Sequence, residues 1–189
     1  MNILVIKSSV FGDNGNSSSL VNSQLAALQA QHPDATVVVR DLSTDPIPHL
    51  DGERVGAFFT PADQRSDDQQ AVDAFSMALI DELKTADHIV LGLPMYNFGI
   101  PSQLKSWIDH VARAGITFRY TENGPQGLLD DKPVTVLAAR GGLYAGTEND
   151  TVTPYIKLFF GFIGMTDVNF VYAEGLNMGD ETKEKAMSE

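Results

Sequence analysis

Apolar positions recur along this chain with two alternating periods. Asn2–Lys7 carries Ile3, Leu4, Val5 and Ile6 in succession, the pattern of a strand buried on both faces. A polar stretch, Ser8–Ser18, follows, and then Val21, Leu25 and Leu28 recur at helical spacing. Thr36–Arg40 is β-branched and strand-like. Ser66, with Gln69 three residues on, is a capping-box pattern that opens a second helix. Asp67 and Asp68 suit the positive end of that helix, and Val72, Phe75, Leu79 and Leu83 form its buried stripe. His88–Leu93 predicts another buried strand, stopped by Pro94. After Ser102, the residues Leu104, Ile108 and Val111 mark a third helix, for which Gly115 offers a left-handed cap. Val134–Ala139 predicts a fourth strand. Pro154 suits the first turn of a helix carrying the apolar segment Tyr155–Ile163. Val168–Ala173 predicts a fifth strand, and the polar stretch Asp180–Glu189 has room for a short helix or a frayed end.

Strand and helix alternate from end to end, which implies a parallel sheet with helices on both faces. Five strands with right-handed crossovers favour a flavodoxin-like, doubly wound α/β sheet of order 2-1-3-4-5. A length of 189 residues fits one domain, with no internal repeat and no low-complexity linker. Two connections, Leu42–Arg65 and Ile116–Asp131, are longer than a compact domain spends on loops unless they bind or cover something.

Composition narrows the partners. Hydrophobic content of 43% and charged content of 20% describe a folded protein. The net charge of −12, with the basic residues scattered, argues against nucleic acid, which needs a local excess of Lys and Arg. No apolar run approaches the roughly 18 residues that cross a bilayer. The apolar run at Ile3–Ile6 lacks a basic flank and is too short for a signal peptide. Cysteine is absent, so disulfides and thiolate chemistry are excluded and a cytoplasmic location is the expectation.

With strand order 2-1-3-4-5, ligands belong beyond the carboxyl ends of strands one and three, where the order reverses. Three loops must meet there: Ser8–Ser18, Pro94–Pro101 and Arg140–Tyr144. Gly15-Asn16-Ser17-Ser18-Ser19 runs into a helix, so its small residues, hydroxyls and free amides make either a phosphate cradle or a plain helix cap. There is no Walker lysine and no G-x-G-x-x-G, which leaves a monophosphate held by neutral donors. Pro94-Met95-Tyr96-Asn97-Phe98-Gly99-Ile100-Pro101 is stiffened by proline and offers flat or polarizable surface to a planar ring, or serves as an apolar loop over the core. Arg140-Gly141-Gly142 lets backbone approach a ligand closely, or is only a turn. One phosphorylated heteroaromatic cofactor accounts for all three together.

Lys7-Ser8-Ser9, Arg40-Asp41-Leu42, Pro46-Ile47-Pro48, Leu50-Asp51-Gly52, Pro94-Met95-Tyr96-Asn97-Phe98, Phe118-Arg119-Tyr120-Thr121-Glu122-Asn123-Gly124-Pro125 and Arg140-Gly141-Gly142 resemble the bacterial FMN-dependent NADH-azoreductase family, also described as NADH:quinone oxidoreductases. The likeness runs from the first strand to about Gly175. It implies one non-covalent FMN per subunit, with Ser9, Gly15, Asn16 and Ser17 on the phosphate and ribityl chain. It implies Pro94, Met95, Tyr96, Asn97 and Phe98 beside the isoalloxazine ring, and Ala139, Arg140, Gly141 and Gly142 along its other polar edge. The family is homodimeric with a shared site, so Phe118 and Tyr120 would reach toward the partner's flavin, with Phe162 and the pair Phe58-Phe59 as further substrate-facing walls. Packing on their own subunit is the alternative for each. This sequence departs from the pattern where many relatives carry Ser-Gln at Gly15-Asn16 and Ser at Ala139. Its tail is also shorter, which leaves the last helix open.

The implied activity passes two electrons from NADH or NADPH to a quinone, or reductively cleaves an azo compound, in a ping-pong cycle centred on the flavin N5 with no side-chain nucleophile. His32, His49, His88 and His110 show no metal-ligand spacing, so no metal is expected, and no G-x-S-x-G elbow occurs. A flavodoxin-type electron carrier and a flavin-free ligand-binding protein are the competing readings.

Overall fold

Successive residues of the first strand point into two different cores. The computed structural model describes residues 1–188, and in it β1, Asn2–Lys7, lies between β2, Thr36–Asp41, and β3, His88–Pro94. Leu4 and Ile6 join a cluster with Leu79, Leu83, Leu104, Trp107 and Phe160, whereas Ile3 and Val5 join Val21, Leu28 and Leu137. The two-residue period of a strand therefore fills both faces of the sheet. On the first face pack α3, Asp67–Thr85, α4, Ser102–Val111, and α5, Val152–Ile163. On the second lies α1, Asn16–Gln31, whose Leu20 packs on a small cluster of Ala139, Ala173 and Leu176, as do Ala186 and Met187 of α6, Asp180–Ser188.

The sheet has five parallel strands, in the order β2-β1-β3-β6-β7, with β6 at Val134–Ala139 and β7 at Val168–Ala173. Counted within that sheet, the order is the expected 2-1-3-4-5. Registers such as Val5↔Val90 and Leu91↔Val136 bring the ends of β1, β3 and β6 level at one edge.

Several boundaries differ from the sequence reading. β3 continues through Pro94, which pairs with Ala139 and precedes an amide, that of Met95, bonded to the Ala139 carbonyl at 3.1 Å. The Leu42–Arg65 connection contains a helix, α2, Gly52–Phe59, capped by the Asp51 carboxylate on the Arg54 amide. Phe58 packs edge-on to His110 beneath the Arg113 guanidinium, which lies 3.8 Å from its ring, while Phe59 is exposed. The Ile116–Asp131 connection folds as an antiparallel hairpin of β4, Phe118–Thr121, and β5, Gly124–Gly127. Gly115 has φ +80° but does not cap α4, which closes on the Ala112 amide. Gly115 instead donates to the Phe118 carbonyl at 2.7 Å and turns the chain into the hairpin. The left-handed glycine cap belongs to α5, at Gly164 with φ +114°. Such positions favour glycine because a Cβ crowds the carbonyl.

Candidate functional site

Three segments converge where β1, β3 and β6 end. They enclose a crevice of about 220 Å³ lined by Ser9, Phe11, Gly15, Asn16, Ser17, Pro94, Met95, Tyr96, Ala139, Arg140, Gly141, Leu176 and Asn177. It adjoins a wider space of about 440 Å³ lined by Met95, Asn97, Phe98, Gly141, Gly142, Tyr144 and Asn177. Every residue expected on the phosphate or around the ring lines one of these two spaces. Phe11 and Tyr144, within the first and third expected loops, line them too, as do Leu176 and Asn177, which nothing in the sequence singled out. Leu176 and Asn177 come from the loop after β7, which reaches the site only because β7 lies beside β6.

The first segment leaves its helix start free. Gly15 has no side chain to cap α1, and the first amide to bond inside the helix is that of Ser19, to the Gly15 carbonyl at 3.0 Å. The amides of Asn16, Ser17 and Ser18 are thus the unbonded donors of a helix N-terminus. Ser17 is 1% exposed and its Oγ has no hydrogen-bond partner, as is also true of Ser18 Oγ. A buried hydroxyl without a partner costs about 1–3 kcal/mol, which a ligand oxygen beside Ser17 would recover. A Cβ on Gly15 would overlap Ser9 Oγ and stand 2.6 Å from Ser9 Cβ, so the cradle closes only with glycine there. Ser9 Oγ accepts from the Phe11 amide at 3.2 Å and sits 3.4 Å from the Tyr96 hydroxyl, which ties this segment to the next.

In the second segment Tyr96 and Gly99 exchange two backbone bonds, of 2.9 and 3.0 Å, across Asn97 and Phe98. Both central residues are left-handed, with φ 51° and 60°. This is the backbone of a two-residue hairpin turn, unusual for a phenylalanine and strained by on the order of 1–3 kcal/mol. The Thr151 hydroxyl donates to the Phe98 carbonyl, and the Phe98 ring meets Tyr144 edge-on at 5.6 Å.

In the third segment the glycines are pressed from both sides. A Cβ on Gly141 would lie 2.5 Å from Asn177 Nδ2, and one on Gly142 would lie 2.9 Å from the Tyr144 ring. The carbonyls of Arg140, Gly141 and Gly142 accept from the amides of Leu176, Asn177 and Gly175, while the amides of Gly141 and Gly142 take no part in these bonds. The Arg140 side chain is not a ligand group. Its guanidinium is buried, paired to Asp150 at 3.0 Å and Glu174 at 3.2 Å, and hydrogen-bonded to Thr153 at 2.8 Å. Arg140 still lines the crevice, and with its guanidinium committed to these partners it is the backbone that is left to meet a ligand.

The aromatic residues expected beside a partner's flavin lie away from their own chain's crevice. Phe118 is buried against Phe162 of its own chain, ring centroids 4.2 Å apart, and none of Phe118, Tyr120 or Phe162 lines the crevice. Tyr120 is 75% exposed at the hairpin. The histidines are dispersed: His88 Nε2 bonds Thr135 Oγ1, His49 Nδ1 bonds Ser106 Oγ, and His110 Nδ1 bonds the Ser106 carbonyl. Among the described residues no group of three His, Cys, Asp or Glu could hold a metal ion. No helix among them is long and apolar enough to cross a membrane.

Comparison with known proteins agrees with this geometry. The family model described as flavodoxin-like fold matches residues 1–189. The chain is 84% identical over 188 residues to an FMN-dependent NADH:quinone oxidoreductase of Alcanivorax borkumensis, covering 100% of this chain and 95% of that one. It is 56% identical to the protein of that name from Cellvibrio japonicus, covering 95% and 90%. Among solved structures, an FMN-dependent NADH-azoreductase from Bacillus anthracis in complex with FMN superposes with a TM-score of 0.87 at 27% identity, covering 99% and 94%.

Proposed function

Because the chain belongs to the flavodoxin-like family of FMN-dependent NADH:quinone oxidoreductases, we propose that its crevice holds FMN, with the phosphate at the start of α1 and the ring between the Met95–Phe98 turn and Gly141–Gly142. The protein is an FMN-dependent oxidoreductase that takes electrons from NADH and delivers them to quinones and azo compounds. One observation carries the placement: the unpartnered Ser17 Oγ lies beside three free amides at the crevice wall, where Ser9 leaves no room for a Cβ at Gly15. A phosphate supplies the missing acceptor oxygens.

Bound FMN would supply chemistry no side chain here offers, accepting a hydride equivalent and returning two electrons. The residues bind and orient. Ser17 and the Asn16–Ser18 amides hold the anionic end, with Ser9 and Tyr96 fixing the wall beside it. The strained Asn97–Phe98 turn and the free amides of Gly141 and Gly142 face the polar rim, where donors favour negative charge that develops on reduction. Met95 and Phe98 give flat, water-excluding surface.

Donor and acceptor use one slot in turn, in a ping-pong cycle. A quinone takes two electrons and one NADH; scission of an azo bond to two amines takes four electrons and two NADH. A homodimer in the cytoplasm completes the proposal, with the exposed Tyr120 of one copy set beside the crevice of the other. Titrating apoprotein with FMN should give one flavin per chain, and anaerobic NADH should bleach it without a radical stage. Initial rates at several quinone concentrations should give parallel double-reciprocal lines. A holoprotein inert to NADH would point to an electron carrier, and an apoprotein that never takes up FMN would end the reading.

A further inference from the structure

We propose that Glu174, which lines neither space of the crevice, is the positioning residue that fixes the Gly141–Ala145 turn against the cofactor ring. This rests on the FMN reading of the site. Beyond Gly142 the turn leaves the sheet, and the amides of Tyr144 and Ala145 have no backbone partner there. One carboxylate oxygen of Glu174 collects both, at 2.9 and 2.8 Å, together with the Arg140 guanidinium at 3.2 Å. Arg140 is anchored in turn by Asp150 and Thr153 and by the face of Tyr172, 5.0 Å from its ring centroid. Asp150 also accepts from the Thr153 amide at 3.0 Å, so the anchor is set on the first turn of α5.

The consequence reaches the crevice through Tyr144. Its ring presses on Gly142 and meets Phe98 edge-on, so the position of its backbone sets the outer wall of the wider space. Glu174 therefore governs the wall and the placement of the Gly141 and Gly142 amides without touching a ligand. Hydrogen bonds to a charged acceptor are the strong kind, and three on one oxygen leave the turn little freedom.

The test compares Glu174→Ala, Glu174→Asp and Glu174→Gln. Alanine removes the oxygen, aspartate withdraws it by one methylene while keeping the charge, and glutamine keeps an acceptor oxygen without the charge. Hydrogen exchange on the apoprotein should show Tyr144 and Ala145 losing protection about tenfold or more in the alanine and aspartate variants. FMN affinity should fall about tenfold in both, roughly the loss of one charge-assisted bond, and by less in the glutamine variant. At saturating FMN, KM for NADH should rise several-fold with kcat within about twofold. Folded alanine and aspartate variants with wild-type exchange and wild-type FMN affinity would overturn the proposal. So would failure of all three to fold, which would assign Glu174 to stability. If wild-type apoprotein takes up no FMN, the functional reading fails, while the exchange measurement still decides whether Glu174 orders the turn.

Discussion

At the scale of single residues, an atom without a partner says most about the site. Ser17 Oγ is buried and unbonded, so Ser17→Ala should leave apoprotein stability unchanged or slightly raised while weakening FMN about tenfold, the worth of roughly one hydrogen bond to a charged group. Thermal melts of the apoprotein and flavin-fluorescence titration would separate the two effects; a parallel loss of both would mean that Ser17 serves the fold. His110 gives a prediction in pH. Its ring is fully buried in edge contacts with Phe58 and Phe75, Nε2 has no partner, and burial holds its pKa below the ordinary 6.5, opposed by the Ser106 carbonyl and Asp109 and aided by Arg54 and Arg113. The folded state refuses a proton that the unfolded chain accepts, so stability falls as pH drops below about 6.5. Half-buried His88 is lowered by burial too and adds to the slope. His110→Phe should shrink the difference in urea midpoint between about pH 7.5 and pH 5.5; an unchanged difference would count against this origin. The Arg140-Gly141-Gly142 segment reads from its sequence as a place for backbone to approach a ligand, and the Arg140 guanidinium, held by Asp150 and Glu174, is committed elsewhere.

At the scale of elements, α3 and α1 begin in opposite ways. Ser66 and Gln69 close a reciprocal capping box on α3, so Ser66→Ala should cost about 1 kcal/mol, read as a shift in urea midpoint with an unchanged slope. The start of α1 has no such device and keeps its donors for a ligand. Long periodic segments were legible because burial on one face repeats every third or fourth residue. α2 was not, since it is short and carries Gly52 and Gly56, which propensity places in loops. The hairpin was hidden for a similar reason: β5 reads Gly-Pro-Gln-Gly, and its pairing is set by contact with α5, where Gly127 lies against Gly164. Local preference is weak over four residues, and tertiary contact overrides it.

For the whole molecule, charge and topology decide. The chain carries a net −12, the Lys7 ammonium beside the first loop is paired to Asp13 at 2.6 Å, and Arg140 is paired twice. A phosphate bound by neutral donors within an anionic protein should not be released by salt. Raising sodium chloride from about 10 to about 500 mM should leave FMN affinity unchanged or slightly better, because screening relieves repulsion; a steep loss would reveal an unpaired cation. The sequence by itself determined the alternation of strands and helices, the sheet order, and the three segments that gather at its edge. It could do so because buried strands are apolar throughout, parallel crossovers have one hand, and the reversal in strand order fixes where loops meet. Only the tertiary structure decided which atoms face the crevice. Asn177 comes to the site, and Glu174 to the turn that carries Tyr144, through the pairing of β7 with β6, and Phe118 turns inward onto Phe162, because contacts between segments distant in the chain depend on close packing that no local pattern encodes.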